Sequence, residues 1–296
     1  MNYLKQHGAY FVFFAALLWA CDAPFRVHLS ESLPTSIIVL VEHFIGLLIV
    51  APFLWQYRSS FKKLNVYQWL AAIIIGVGGS AVALMLFTES FTHMNPSVVI
   101  VLQKLQPLIA ITLAFTLLGE RTTKQFWLWG LLMIVGAYLI SFPGLKPELY
   151  QGEAFNPNMI GAGLALGAAI LWGLATVLGR YMLADLNFKA LTGLRFAIGF
   201  LFLLIWNISR GSLASISLVS STDVLFLIII SLISGVGALF IYYYGLQRTR
   251  ASVATLAELG FPVGAVIVNY FFLDATLNLM QLVGIGVLLY GLKKLA

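Results

Sequence analysis

The sequence predicts an all-α integral membrane protein of ten transmembrane helices, arranged as two inverted five-helix repeats. Three observations predict it: scarce charge, ten apolar runs of membrane-spanning length, and a second half that echoes the first. Hydrophobic residues fill 61% of the 296 positions and charged residues only 9%. A water-soluble domain carries about 25% charged residues, so this chain cannot cover a water-facing surface, and lipid must solvate most of it. The net charge of +6 does not point to nucleic acid. Lys and Arg fall in short segments between apolar runs, which is the pattern membrane insertion produces.

A helix needs about 20 apolar residues to cross ~30 Å of hydrocarbon. The runs that qualify are 9–28, 35–55, 67–88, 96–118, 125–142, 158–182, 188–208, 222–246, 251–273 and 278–293. The first contains Tyr10 to Leu18, which resembles a signal-peptide core. Asp22, Pro24 and Arg26 follow it without a small-x-small cleavage site, so it reads as a retained helix. The fifth and tenth runs are short and depend on Gly-containing apolar stretches. Between the fifth and sixth, Pro143 to Pro157 carries Pro, Gly and Asn, and reads as a linker between halves.

The basic residues test the count. With the N-terminus in the cytoplasm, the inside segments collect Lys5, Arg58, Lys62, Lys63, Arg121, Lys124, Arg180, Lys189, Arg248, Arg250, Lys293 and Lys294. The outside segments collect only Lys146 and Arg210. This asymmetry fits a multi-pass protein of the cell (inner) membrane with both termini cytoplasmic. Cys21 is alone, which excludes an intrachain disulfide.

The halves resemble each other. Leu18-Trp19 answers Leu171-Trp172, and Glu42-His43-Phe44-Ile45-Gly46 answers Arg195-Phe196-Ala197-Ile198-Gly199 at the same spacing. Ser97-Val98 and Pro107 answer Ser252-Val253 and Pro262 at one offset, and Gly130 answers Gly284 after a one-residue slip. Five spans per repeat, an odd number, put the second repeat into the membrane from the opposite side. The implied units are 1–142 and 158–296, joined by an extracytoplasmic linker at 143–157. Inverted repeats are a common transporter architecture, with the solute site near the midplane between them and access alternating as one repeat rocks against the other.

The paired Trp residues, the two halves and Leu118-Gly119-Glu120-Arg121 closing the fourth span resemble the EamA-type branch of the drug/metabolite transporter superfamily. The resemblance covers essentially the whole chain. Arg195 matches a basic residue common in the second helix of that repeat, whereas Glu42 stands at the equivalent place in the first half, and Asp274 only loosely echoes the Gly-Glu pair. The resemblance implies a central cavity lined from both halves. It also implies export or exchange of a small metabolite such as an amino acid or a related amine. On that fold Trp19 and Trp172 would face the cavity, as would the run Tyr242-Tyr243-Tyr244, with Tyr243 as its representative. Aromatic walls of this kind suit organic cations or aromatic solutes. Trp and Tyr also serve as interfacial anchors, so both roles stay open.

Six charged residues fall inside the spans: Asp22, Arg26, Glu42, Lys104, Arg195 and Glu258. A charge at the bilayer centre costs at least ~2.5–3.5 kcal/mol, so each should face the protein interior or a wet cavity. Asp22 and Arg26 are four apart and share a helix face, with Pro24 kinking the helix between them. They form either an ion pair near the outer rim or a solute contact. Glu258 lies one turn before Pro262, as Gln103 does before Pro107. A pair between Lys104 and Glu258 across the repeat interface is sterically reasonable. Gln103, Lys104 and Glu258 are therefore the candidate solute site. In it Lys104 would hold an anionic group, and Glu258 an ammonium or a coupling proton. Alternatively, the pair is structural and locks the halves together. For Arg195 and Glu42, helix packing or partnership with carbonyl groups is the favoured reading.

No P-loop, metal-ligand spacing or nucleophile–base arrangement is present, so an enzyme, a resident cofactor and ATP-driven pumping are not expected. The expected partners are a small-molecule solute, the lipid bilayer and a proton as coupling ion. Sugar-phosphate or nucleotide-sugar exchange is the alternative solute class. A non-transporting structural or partner protein is the alternative function, and would have a closed interior.

Overall fold

The computed structural model describes residues 7–93, 99, 102–142, 144–145, 159–272 and 278–296. Lys5, Ser97-Val98, Lys146, the Pro143–Pro157 linker apart from Gly144 and Leu145, and Asp274 lie outside the described residues. Among the described residues every regular element is helical. The helices are α1 (Gly8–Ala20), α2 (Ala23–Ser32), α3 (Thr35–Gln56), α4 (Arg58–Phe61), α5 (Val66–Ile73), α6 (Ala83–His93), α7 (Gln106–Leu118), α8 (Lys124–Ser141), α9 (Met159–Met182) and α10 (Phe188–Arg210). They continue with α11 (Ser221–Ile230), α12 (Ala238–Leu246), α13 (Ala251–Ala257), α14 (Gly260–Phe272) and α15 (Leu279–Leu295). Two π-helical stretches, Ile74–Val82 and Ser231–Gly237, join α5 to α6 and α11 to α12.

Side chains that satisfy exposed amides start several of these helices. Asn65 with Gln68, Ser220 with Asp223 and Asn278 with Gln281 each form a reciprocal capping box. Thr123 accepts from the Phe126 amide at 3.1 Å. Gly119 and Gly211 end α7 and α10 at φ 64° and 68°, a left-handed conformation that favours glycine.

Among the described residues seven helices are long and apolar enough to cross a membrane: Thr35–Gln56, Val66–Ser90, Lys124–Ser141, Ile160–Met182, Phe188–Arg210, Ser221–Leu246 and Ala251–Val268. The remaining three expected spans are not among them. The helix of the first stops at Ala20 and restarts at Ala23 after a turn at Cys21-Asp22, so Gly8–Ala20 alone is short. In the fourth, the continuous helix described is Gln106–Leu118, 13 residues long. The tenth is a 17-residue helix ending on Lys293 and Lys294. Large apolar side chains project outward from the crossing helices, among them Leu48 at 61%, Leu131 at 61% and Ile205 at 66% exposure. A continuous apolar exterior of this kind is stable only in lipid.

Packing of the bundle rests on small residues, as expected where the hydrophobic effect does not drive helices together. Helix α3 lies against α10, α1 against α12 and α14, α9 against α6 and α7, and α8 against α15. At the α3–α10 crossing a methyl on Gly46 would collide with the Phe196 ring, and one on Gly199 would lie 2.7 Å from His43 Cδ2. The two rings, 5.4 Å apart at their centroids, each fill the space left by the other helix's glycine. A methyl on Gly76 would lie 2.7 Å from Ile198 and one on Gly79 would collide with Ala175, whereas one on Gly163 would meet nothing within 4 Å.

The α8–α15 contact gives a direct test. A methyl on Gly284 would lie 2.7 Å from the Gly136 carbonyl oxygen, while one on Gly286 meets nothing within 4 Å. Gly284→Ala should lower the melting temperature of the purified protein by about 3–10 °C. Gly286→Ala should leave it unchanged or raise it. Equal melting temperatures for the two variants would contradict this packing.

Candidate functional site

Among the seven crossing helices, Ala251–Val268 is the most enclosed, with 78% of its residues buried against 33–44% in the others. It is surrounded by α1, α7, α8, α9, α12 and α15. Over Ala251–Gly264 every side chain is buried except Glu258 and Phe261. Those two side chains keep partial accessibility although six helices pack around the segment.

A helix break falls at Glu258. Helix α13 ends at Ala257, a tight turn at Glu258-Leu259 follows, and Pro262 lies in the first turn of α14. The same arrangement occurs at Lys104-Leu105, a turn followed by Pro107 at the start of α7. Both turns close with an amide to the carbonyl three residues earlier, Leu105 to Leu102 and Leu259 to Leu256, each at 3.1 Å. Proline cannot donate to the preceding turn, so the backbone tightens ahead of it.

Three side chains from three helices donate to the Glu258 carboxylate. Gln106 Nε2 reaches Oε2 at 2.6 Å, while Tyr242 OH and Thr176 Oγ1 reach Oε1 at 2.9 and 3.1 Å. Gln103 Nε2 donates in turn to Gln106 Oε1 at 3.2 Å. The Trp19 ring packs on Tyr242 with centroids 5.1 Å apart. Trp172 lies one turn from Thr176 on α9 and packs edge-on against Phe87. Gln103 and Trp19 thus connect to Glu258 through one intermediary each, Gln106 and Tyr242.

The expected Lys104–Glu258 pair is not formed. Lys104 Nζ lies over the Phe261 ring at 5.4 Å and has no hydrogen bond or ion pair among the described residues. Gln106, two residues on and rotated by the break, takes the carboxylate instead. Tyr243 is also placed differently from the expectation of a cavity wall. It is fully buried, and its hydroxyl accepts from Arg195 Nη1 at 3.0 Å. Tyr242 occupies the position beside Glu258.

Arg195 donates to Gly79 O and Ser80 Oγ in the π-helical stretch, at 3.0 and 3.1 Å. His43 lies 2.9 Å from the same Ser80 hydroxyl. All three acceptors of Arg195 are uncharged. The second ionic cluster stands on α2 and α3. Arg26 donates through Nε and Nη2 to Asp22 Oδ2 at 3.1 and 2.9 Å, and through Nη1 and Nη2 to Glu42 at 3.2 and 2.7 Å. One guanidinium therefore bridges two carboxylates. Glu42, read from sequence as a packing residue, is its second partner. Among the described residues no His, Cys, Asp or Glu cluster suits a metal ion.

The short helix α13, which carries Glu258 to its break, is also held at its start. Glu120 accepts from the Ala251 amide at 2.8 Å, and from the Ser252 amide and hydroxyl at 3.0 and 2.6 Å. Arg250 Nη1 donates to the Arg121 carbonyl at 3.2 Å.

An apolar exterior around interior polar clusters on Arg26, Arg195 and Glu258 describes a multi-pass membrane protein. The chain belongs to the EamA-like transporter family, whose model matches residues 6–142 and again residues 159–293. It is 28% identical to the riboflavin transporter ImpX of Fusobacterium nucleatum over 302 residues, covering 100% of this chain and 98% of that one. It is 22% identical to the uncharacterized transporter YetK of Bacillus subtilis, covering 97% of this chain and 86% of that one. A protein of known crystal structure shares the fold at TM-score 0.77 and 16% identity, over 98% of this chain and 96% of the other.

The Arg26 bridge has a predictable cost of removal. Arg26→Gln strands two carboxylates against each other in a poorly solvated place, which costs about 3–5 kcal/mol. It should abolish or sharply reduce recovery of folded, monodisperse protein. Asp22→Asn leaves Glu42 on the guanidinium and should cost markedly less. The reverse ranking in a thermal-stability comparison would refute the bridge.

Proposed function

We propose that the protein is a secondary transporter that moves a flat heteroaromatic metabolite of the flavin type across the cell membrane by alternating access. The observation that carries this reading is the pair of accessible side chains, Glu258 and Phe261, in an otherwise buried segment. A hydrogen-bonding carboxylate beside an aromatic face is the equipment an aromatic, polar-edged solute requires. Trp19 and Tyr242 extend the aromatic surface, and the full-length similarity to a riboflavin transporter supports the solute class.

The transport frame proposed with it is ten helices in two inverted repeats, 1–142 and 158–296, with 143–157 as linker. Two features support it. The family model matches each half separately. Helix packing also keeps its form when the halves are exchanged: the first span meets the eighth and ninth, and the sixth meets the third and fourth. Both termini are assigned to the cytoplasm on the distribution of Lys and Arg, and the direction is export or exchange. Glu258 is assigned the coupling proton. An amino acid or amine, held through its ammonium by Glu258, is the second reading of the same carboxylate. Trp172 and Gln103 are assigned to the rim of the site.

The test is transport by purified protein in proteoliposomes, preceded by a thermal-shift screen of riboflavin, amino acids, amines, nucleosides and sugar phosphates. Riboflavin should raise the melting temperature and be transported. Glu258→Gln keeps the volume and removes the charge. It should reduce transport about tenfold or more, the worth of a hydrogen bond to a charged group, and abolish the response to a pH gradient. Stabilisation by amino acids but not by riboflavin would replace the flavin reading. Undiminished transport and pH response in Glu258→Gln would remove Glu258 from the mechanism.

A further inference from the structure

The interior charges do not balance locally. Arg26 is matched by Asp22 and Glu42, and Glu258 meets neutral partners. Arg195 and Lys104 both lack a carboxylate, but Arg195 has three neutral acceptors whereas Lys104 has none among the described residues. Its ammonium can donate three hydrogen bonds and makes none among the described residues, having only the Phe261 ring at 5.4 Å. A cation–π contact offsets only part of the cost of withdrawing an ammonium from water.

Its position is as informative as its lack of partners. Lys104 is itself partly accessible, and so are Glu258 and Phe261. Phe261 is one turn beyond Glu258, its amide bonded to the Glu258 carbonyl at 3.1 Å. From the other helix break, Lys104 reaches over that same ring. The two breaks therefore bring together a hydrogen-bonded carboxylate, an aromatic face and an ammonium without an acceptor among the described residues.

We infer that Lys104 is the specificity-determining donor of this site, and that it binds the most electron-rich acceptor edge of the solute. Resting on the flavin reading above, that edge is the pyrimidinedione end of the tricyclic ring, which bears two carbonyl oxygens. Burial beside Phe261 strengthens the contact, because water does not compete for the ammonium once the ring is seated.

The experiment compares three ligands on the full chain in lipid nanodiscs, with empty nanodiscs as blank. Riboflavin has the carbonyl edge and a ribityl chain, lumichrome has the edge alone, and phenazine has a tricyclic ring with neither. Lys104→Met should weaken riboflavin and lumichrome binding about tenfold or more and leave phenazine unchanged. Lys104→Arg should keep most of the affinity for the two carbonyl-bearing ligands. Should Lys104→Met fail to give monodisperse protein, Lys104→Gln carries the same comparison. Unchanged riboflavin affinity in a folded Lys104→Met protein overturns the assignment, as does an equal loss for all three ligands. Wild-type protein that binds neither riboflavin nor lumichrome overturns the flavin reading, and this assignment with it.

Discussion

The constraint on which the rest of the structure depends is the absence of a hydrogen-bonding solvent around the crossing helices. In hydrocarbon each polar backbone group must be satisfied within the protein, and each charge must be turned inward. The interior arrangement follows from this. Arg26 holds two carboxylates at once, Arg195 uses a carbonyl and two hydroxyls, and Glu258 collects donors from three helices. The outside is left to leucine, isoleucine and aromatic rings, which need no partners.

A regular helix offers its neighbours no free backbone group, so a polar interior in such a bundle has to be built where helices depart from regularity. The departures among the described residues are three proline-led breaks, before Pro24, Pro107 and Pro262, and two π-helical stretches. The widened turns around Gly79 bring a carbonyl to the Arg195 guanidinium, and the break before Pro262 places Glu258 against Gln106, Thr176 and Tyr242. Departures of this kind mark functional places in membrane helices. Glycines let the remaining helices approach closely, as the reciprocal Gly46–Phe196 and Gly199–His43 contacts illustrate.

Much of this was legible in the sequence because charge in an apolar run is rare and conspicuous. Asp22, Arg26, Lys104, Arg195 and Glu258 stood out without any knowledge of the fold, and Pro107 and Pro262 marked the breaks. Their partners were less legible. Glu42 meets Arg26 across two helices, and no spacing rule predicts a contact between different helices. The turn at Lys104-Leu105 swings Gln106 rather than Lys104 toward Glu258, a rotation that helical periodicity through a break does not give. In Tyr242-Tyr243-Tyr244 successive residues point about 100° apart, and composition does not say which one faces the carboxylate. Thr176 had a signal that passed unread, since it lies four residues after the singled-out Trp172, on the same helix face.

The placement of α13 ties the two ends of the site together. This helix is only seven residues long, so it has little stability of its own, and its position is set by what holds its ends. Glu120, from the Gly-Glu pair that closes α7, caps its first turn with three hydrogen bonds. At its other end Glu258 is held by Gln106, from the first turn of the same α7. Both anchors are carboxylates, and both contacts run between α7 and α13, one helix from each half of the chain. A rigid displacement of one half against the other cannot leave both anchors intact unless α7 and α13 move as a unit. The polar contacts that hold Glu258 are thus mechanically continuous with the contacts that fix one half of the chain to the other.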